Sequence, residues 1–389
     1  MSDVPPHQLL ITLVHGTWGR GFFPRRQRQN RRPLWFEDGS PFLSRLTTEL
    51  VDIPYKITPL LWSGANSIFV RDKTAHVLAE HLAAEHAEHP QAAQLIIAHS
   101  HGGNIALRAL HHLTQRDASP SGKESANPLI VTLATPFIEV HQADFGRRPL
   151  YIRVTLMILV IASLLGVLLA LAWIALLMLL QVEYPQVASF VFSGTVGPAI
   201  LFLMGWWWIV RRAPARQNYL DALKNATRLG EFALAQRLLV IRAIDDEASL
   251  TLALGAIVNY VTARSITYVL LLYLLLTTII VPVQQTHVIS WLSDEALGFV
   301  LLAMFPVTIV LFSILMLARS VHGRELALSP MECQINTQST PDAIGLSKIV
   351  TLVRHTHIRS LRHGIYDYED CAKAISDWVH SKLCAMPAR

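Results

Sequence analysis

The sequence predicts an α/β fold, a doubly wound and mostly parallel sheet, interrupted by two transmembrane helical hairpins. Three observations carry this. Short apolar runs of strand length, at Leu9–Val14, 95–98, 129–134, 238–242 and 348–353, recur between helical patterns and turn residues. Four much longer apolar runs come as two pairs, each pair joined by a short link. Of the 389 residues, 52% are hydrophobic and only 16% charged, a greasy balance for a chain bathed in water.

Leu9–Val14 (Leu-Leu-Ile-Thr-Leu-Val) reads as a buried strand and ends in His15-Gly16-Thr17-Trp18-Gly19. Residues 20–32 hold Arg20, Arg25, Arg26, Arg28, Arg31 and Arg32, with Phe22, Phe23 and Trp35 close by. This basic, aromatic loop is either solvated or in contact with anionic lipid headgroups, at roughly 1 kcal/mol per basic residue near such a surface. Nucleic acid is not an expected partner, because no binding fold accompanies the patch. A strand is expected over 53–62, then Ser63-Gly64-Ala65-Asn66, then a helix over 67–86 with Ala75, Leu78, Ala79 and Leu82 on one face. His76, His81, His86 and His89 are spaced by five, five and three, which does not align them on one helical face, and no metal is expected there.

Residues 94–107 are the centre of the chain: Gln-Leu-Ile-Ile-Ala-His-Ser-His-Gly-Gly-Asn-Ile-Ala-Leu. The apolar run stops at His99-Ser100-His101-Gly102-Gly103, and Ile105, Leu107 and Leu110 resume with helical spacing. A polar loop follows over 117–127, then the strand 129–134 ending in Thr135-Pro136-Phe137. The strand 238–242 runs into Asp245-Asp246-Glu247. The strand 348–353 is followed by His355, His357 and His363, and then by a helix over Glu369–Leu383 with Cys371, Ile375, Trp378 and Val379 inward. Cys333, Cys371 and Cys384 are sparse and odd in number, so they imply no disulfide framework and no metal site.

Strand, sharp turn at a serine, then helix resembles the nucleophile elbow of the α/β-hydrolases, with Ala98 where the usual Gly-x-Ser-x-Gly has its first glycine, as in some bacterial lipases. The remainder outside the apolar runs is similar to the same family at His15-Gly16, Thr135-Pro136, Asp246 and His363, which follow the family's chain order of serine, acid, histidine. The resemblance implies Ser100 as nucleophile, His363 as general base and Asp246 as the acid that orients it, with Asp245 as the competing acid. His355 and His357 lie too early for the base, and His99 and His101 flank the serine at a turn that points them away from it. The resemblance further implies an oxyanion hole from the amides of Thr17 and His101, with His15 and Gly16 at the binding site. Trp-Ser-Gly-Ala-Asn with Arg71 also resembles a segment of bacterial lipase-like hydrolases; Arg71 is grouped with the binding residues, its role unassigned. Thr135-Pro136 is expected to shape the acyl pocket. No cofactor is implied.

The apolar runs are 154–180 and 187–210, then 266–283 and 296–318, each long enough to span a hydrocarbon core of about 30 Å. Arg147, Arg148, Arg153, Arg211, Arg212, Arg216, Arg264, Arg319 and Arg324 flank the pairs, whereas both hairpin links contain no Lys or Arg. The positive-inside rule then places both hairpin tips outside the cytoplasm and the remainder within it. The expected map is hydrolase segments at 1–150, 213–264 and 320–389, separated by hairpins at 151–212 and 265–319. No signal peptide is read at the start. The expectation is a multi-pass protein of the bacterial inner membrane, with the lipid bilayer and a hydrophobic acyl ester as partners. A thioesterase or acyltransferase with the same triad, or an inactive membrane scaffold, are the alternatives.

Overall fold

A computed structural model describes residues 8–19, 33–117, 127–142, 217–228, 237–243, 247–276, 294–327, 333–339, 348–353 and 364–384. The chain divides into two compact units, one of Met1–His141, Leu223–Asn259 and Met316–Arg389, the other of Gln142–Ala222 and Tyr260–Leu315.

The first unit is built on a six-stranded sheet. Its strands are β1 (Leu9–Val14), β2 (Tyr55–Leu60), β3 (Ala93–His99), β4 (Leu129–Leu133), β6 (Leu238–Ala243) and β8 (Lys348–Leu352). They run in the order β2-β1-β3-β4-β6-β8, and every neighbouring pair is parallel. Five strand positions expected from apolar runs are therefore strands of one sheet, and the expected 53–62 is strand over its central six residues. A separate two-stranded sheet pairs β5 (Phe137–Gln142) with β7 (Cys333–Gln338). The apolar-run pattern did not predict either of these strands, which alternate polar with apolar residues.

Period-two alternation sorts the sheet into two cores. Leu9, Ile11, Leu13, Leu95, Ile97, Leu129, Val131, Leu239 and Ile241 face one way. There they meet α1 (Pro41–Glu49) and the C-terminal helix Glu369–Leu383, here α8. Val14, Ile96, Ala98, Ile130, Leu238 and Val240 face the other way, against α2 (Ile68–Glu88) and α3 (His101–Asp117). Ser40 caps α1 by accepting from the Leu43 amide, and Pro41 occupies the first turn, where a missing N–H costs nothing. Ser67 caps α2 in the same way through the Val70 amide. On α8, Cys371, Ile375, Trp378 and Val379 are fully buried, as their spacing predicts. Burial pushes the Cys371 thiol up to about 12, so it stays a neutral core group.

Trp35 is a correction. Its place beside the arginine-rich loop suggested a surface aromatic, but it is buried, packed edge-on against Phe42 and stacked on Tyr366. A large apolar ring gains more from that core than from a polar loop. Residues 20–32 themselves lie outside the described residues.

Among the described residues the helices α4 (217–227), α5 (Glu247–Leu275) and α6 (Asp294–Ser320) lie between β5 and β7. A short α7 (Arg324–Ala327) follows. Helix α5 starts directly after the 238–243 strand and contains one stretch, Leu254–Tyr273, long and apolar enough to cross a membrane. Arg264 therefore sits within a continuous helix, its guanidinium 5.5 Å from the Tyr260 ring, rather than ahead of a separate span. In α6 the apolar part, Pro306–Ser320, is shorter. Arg319, which looked like a flanking charge, is buried and donates to the carbonyls of Leu326 (3.0 Å) and Cys333 (2.9 Å) and to Asn259 Oδ1 (3.1 Å). It ties the end of α6 to the middle of α5, to α7 and to the start of β7. The runs 154–180 and 187–210 and the link after α5 lie outside the described residues.

Candidate functional site

The strand order fixes where a site can form. The connection from β1 passes over α1 on one face, whereas that from β3 passes over α3 on the other. β1 and β3 are therefore the neighbours at which the connections diverge, the place where parallel α/β sheets bind ligands. His15-Gly16-Thr17 leaves β1 at that carboxyl edge, and Ser100-His101 leaves β3 beside it.

Ser100 stands at the turn between β3 and α3 with φ of 54°, a left-handed conformation that costs a non-glycine residue of order 1–3 kcal/mol. The strain is held by hydrogen bonds on both sides of the turn. The Ser100 amide donates to the Leu133 carbonyl (2.8 Å), and the Gly103 amide to the Ser100 carbonyl (3.0 Å). Small residues make room. A Cβ on Gly16 would lie 2.6 Å from Ser100 Cβ and 3.2 Å from its Oγ, and one on Gly102 would lie 2.5 Å from the Val14 carbonyl oxygen. A side chain at Gly103 would collide with Thr135. The β1 loop and the serine turn are thus in direct contact, and Ser100 is 8% exposed.

The loop after β1 is braced by aromatics. His15 is fully buried, stacked on Phe36 at 4.9 Å and on Trp62 at 5.4 Å, and in its Nδ1–H tautomer donates to the Gly16 carbonyl (2.9 Å). Trp62 Nε1–H donates to the His15 carbonyl (2.9 Å), and the Trp18 amide to the Gly64 carbonyl (2.9 Å). Trp18 is left-handed, with φ of 55°, and Gly64 opposite it has φ of 66°. Thr17 sits between these two tethers. His15 acts here as a packing and bracing group.

Thr135 and Pro136 brace the elbow helix. Thr135 packs on Gly103, while Asn104 Nδ2 donates to the Pro136 carbonyl (2.8 Å) and accepts at Oδ1 from the Ile138 amide (3.3 Å). Ala134, just before, is a third left-handed residue, with φ of 46°. Neither His99 nor His101 is exposed, and His99 lies edge-on to Trp35 (5.9 Å) and Tyr366 (5.0 Å).

Tyr366 brings the C-terminal segment to the elbow. It belongs to the short turn Ile365–Asp367 and touches His99, the residue before Ser100. Burial, with Asp367 beside it, pushes its hydroxyl up to about 12, so it remains neutral. His355, His357 and His363, like Asp245 and Asp246, lie outside the described residues. Their chain neighbours are described: Gly364 opens the Tyr366 turn, and Ala243 ends the strand two places from β3, at the same carboxyl edge as Ser100.

Arg71 is buried on α2, donating to Asn66 Oδ1 (3.3 Å) and to the His322 carbonyl (2.9 Å). Desolvation, partly offset by Glu325, lowers its pKa to about 10, so it stays charged at neutral pH. Sequence reasoning grouped it with the binding residues and had no signal for Glu325, its partner 254 positions away along the chain. Among the described residues no cluster of three His, Cys, Asp or Glu side chains is placed to hold a metal.

These features define a parallel α/β protein with a strained serine at a strand-to-helix turn. Comparison with protein-family models, curated proteins and solved structures gives no match.

Proposed function

We propose that the chain is a membrane-anchored serine hydrolase of the α/β-hydrolase type, cleaving an acyl ester of a lipid. The observation that carries this reading is Ser100. It holds a left-handed backbone between β3 and α3, against Gly16, at the point where the sheet connections reverse. A strained serine costs stability and is retained where the geometry serves chemistry.

Two features support the remaining assignments. The turn containing Tyr366 lies against His99, the residue before Ser100, and His363 precedes Tyr366 by three positions in the chain. The strand Leu238–Ala243 ends at the same edge, two residues before Asp245 and three before Asp246. In the proposed reaction His363 takes the proton from Ser100 Oγ as it attacks the ester carbonyl. Asp246 holds the histidine tautomer and stabilises its cationic form. The amides of Thr17 and His101 donate to the oxyanion. The alcohol leaves with the proton carried by His363, and water then releases the acyl group from Ser100 by the reverse proton path.

The lipid substrate and the cytoplasmic face of an inner membrane rest on the apolar helices and the arginine-rich residues 20–32. Side chains such as Ile257, Tyr260, Val261 and Phe312 are exposed on α5 and α6, which suits hydrocarbon as the surrounding medium. The two-hairpin, four-span arrangement belongs to this proposal.

The test is labelling of membranes with a fluorophosphonate probe, comparing the natural chain with Ser100→Ala. The expected result is covalent labelling that the variant abolishes, with ester hydrolysis falling at least about 10³-fold. Absence of labelling in correctly folded natural protein would overturn the reading.

A further inference from the structure

The oxyanion loop is held by a strap, and the strap is anchored far from the reacting atoms. Residues 61–66 connect β2 to α2 without regular secondary structure. At one end the strap grips the β1 loop twice, through Trp62 Nε1–H to the His15 carbonyl and through the Gly64 carbonyl to the Trp18 amide, both at 2.9 Å. These bonds bracket Thr17. At the other end Asn66 grips the chain leaving α6. Its Nδ2 donates to the Ser320 carbonyl (2.8 Å) and, more weakly, to that of Val321 (3.3 Å), and its own carbonyl accepts from the Arg324 amide (3.1 Å).

That second grip is buried and charged. Arg71 donates to Asn66 Oδ1 and to the His322 carbonyl. Glu325 accepts from the Ser67 hydroxyl and from the Ile68 amide (2.9 Å). Glu325 thereby occupies the amino end of α2, where a carboxylate is favoured, and offsets the Arg71 charge. The approach is close enough to crowd a side chain at Gly323, where a Cβ would lie 3.0 Å from Ile68 Cγ1 and 3.4 Å from Arg71 Nη2. Packing needs no such cluster: buried charges contribute little net stability, and their best-attested use is to fix a register. Here the register fixed is that of the strap against residues 320–325.

We propose that Asn66, Arg71 and Glu325 are positioning residues for catalysis: by locking the strap to the turn after α6, they hold Thr17 at the spacing from Ser100 that the oxyanion requires. This rests on the serine-hydrolase reading. None of the three touches the reacting atoms. The cluster acts only through Trp62 and Gly64, so its loss misplaces the Thr17 amide while leaving Ser100 and the acyl-binding walls in place. A donor misplaced by about 1 Å costs on the order of 10²-fold in rate, and a loosened strap costs some part of that.

The experiment uses the full-length chain in membranes, with a chromogenic ester as substrate. Active sites are counted by saturating fluorophosphonate labelling, so that misfolded molecules drop out. The variants are Asn66→Ala, which removes the side-chain bonds of the far grip, and Trp62→Phe, which removes one near grip while keeping the ring stacked on His15. Both are expected to lower kcat per labelled site about tenfold or more, with KM within about twofold. The double variant is expected to lose little beyond the larger single loss, because both act through one strap. Unchanged kcat per labelled site in Asn66→Ala, with the natural chain active, overturns the positioning role and leaves the hydrolase reading intact. Failure of the natural chain to label or turn over removes both.

Discussion

The strands of the sheet and the helices α5 and α6 are made from the same apolar residue types, and they treat them in opposite ways. In β3 every side chain from Gln94 to His99 is buried. On α5, Ile257, Tyr260, Val261 and Tyr268 are each more than half exposed. The difference is one of partners. A central strand such as β3 has a neighbour on each side and a helix over each face, so a continuous apolar run is satisfied within the protein. A helix of 29 residues has a circumference that one neighbour cannot cover. Apolar composition alone therefore does not identify a core; run length and the number of available neighbours do.

A charge placed in each region is the most forceful way to break this comparison. Ile97→Lys puts an ammonium in the middle of the sheet with no partner, and the expected outcome is loss of protease-resistant folded protein, a destabilisation above about 4 kcal/mol. Val261→Lys lies within the apolar stretch of α5. If that face meets hydrocarbon, insertion is disfavoured by about 2.5–3.5 kcal/mol and the fraction resisting alkaline extraction from membranes falls. Retention and stability both unchanged would mean that the face meets water.

Next in size is Gly16→Ala. The added methyl would sit 2.6 Å from Ser100 Cβ, so the β1 loop and the elbow must separate. A loss of about 10²-fold in kcat is expected, with the melting temperature moved far less than by any change within β3. Equal losses of activity and of folded protein would mean that the strand ends are core and not site.

The third prediction concerns pH. His322, in the turn after α6, is buried, and desolvation lowers its pKa to about 4, against a smaller opposing pull from the Ala318 backbone. The unfolded chain, with an ordinary value near 6.5, binds the proton more readily between these limits. Folding stability should therefore be full above pH 6.5 and fall as pH drops toward 4, by on the order of 2–3 kcal/mol. Thermal melts across this range, with His322→Gln as the reference, measure it; an unchanged pH slope in the variant would assign the loss to other groups. The smallest effect is expected at Ile257→Ala. It should change stability in detergent by less than about 0.5 kcal/mol, against about 2–5 for Ile97→Ala.

Which parts of the molecule were legible in the sequence follows from the same comparison. Strands buried on both faces announce themselves as apolar runs, and the serine turn announces itself by the glycines that admit it. The helix Glu369–Leu383 was readable to the residue from the 3.6 period of Cys371, Ile375, Trp378 and Val379. The β5–β7 pair was not, because half-exposed strands such as Cys-Gln-Ile-Asn-Thr-Gln carry no run. Helix α1 escaped although Ser40-Pro41 is a start signal, because it lies just after the arginine-rich stretch that drew the reading toward a loop. Trp35 was misjudged for the same reason. The Asn66, Arg71 and Glu325 cluster was beyond reach: its members are joined across more than 250 positions, and no local pattern marks the pairing.

The two helices that cover one face of the sheet come from opposite ends of the described chain. Arg45 on α1 reaches the Asp367 carbonyl, Ser376 on α8 reaches that of Glu49, and the core between them contains Phe42, Leu46, Ile375 and Trp378. During translation β1 to β4 emerge early and in order, but half the roof over that face is still to be synthesised. Residues 134–368, with α5 and α6 among them, must be synthesised before α8 can close the sheet. The nascent chain therefore carries an open apolar face until the helix Glu369–Leu383 leaves the exit tunnel, and that interval is when the sheet is most open to misassembly.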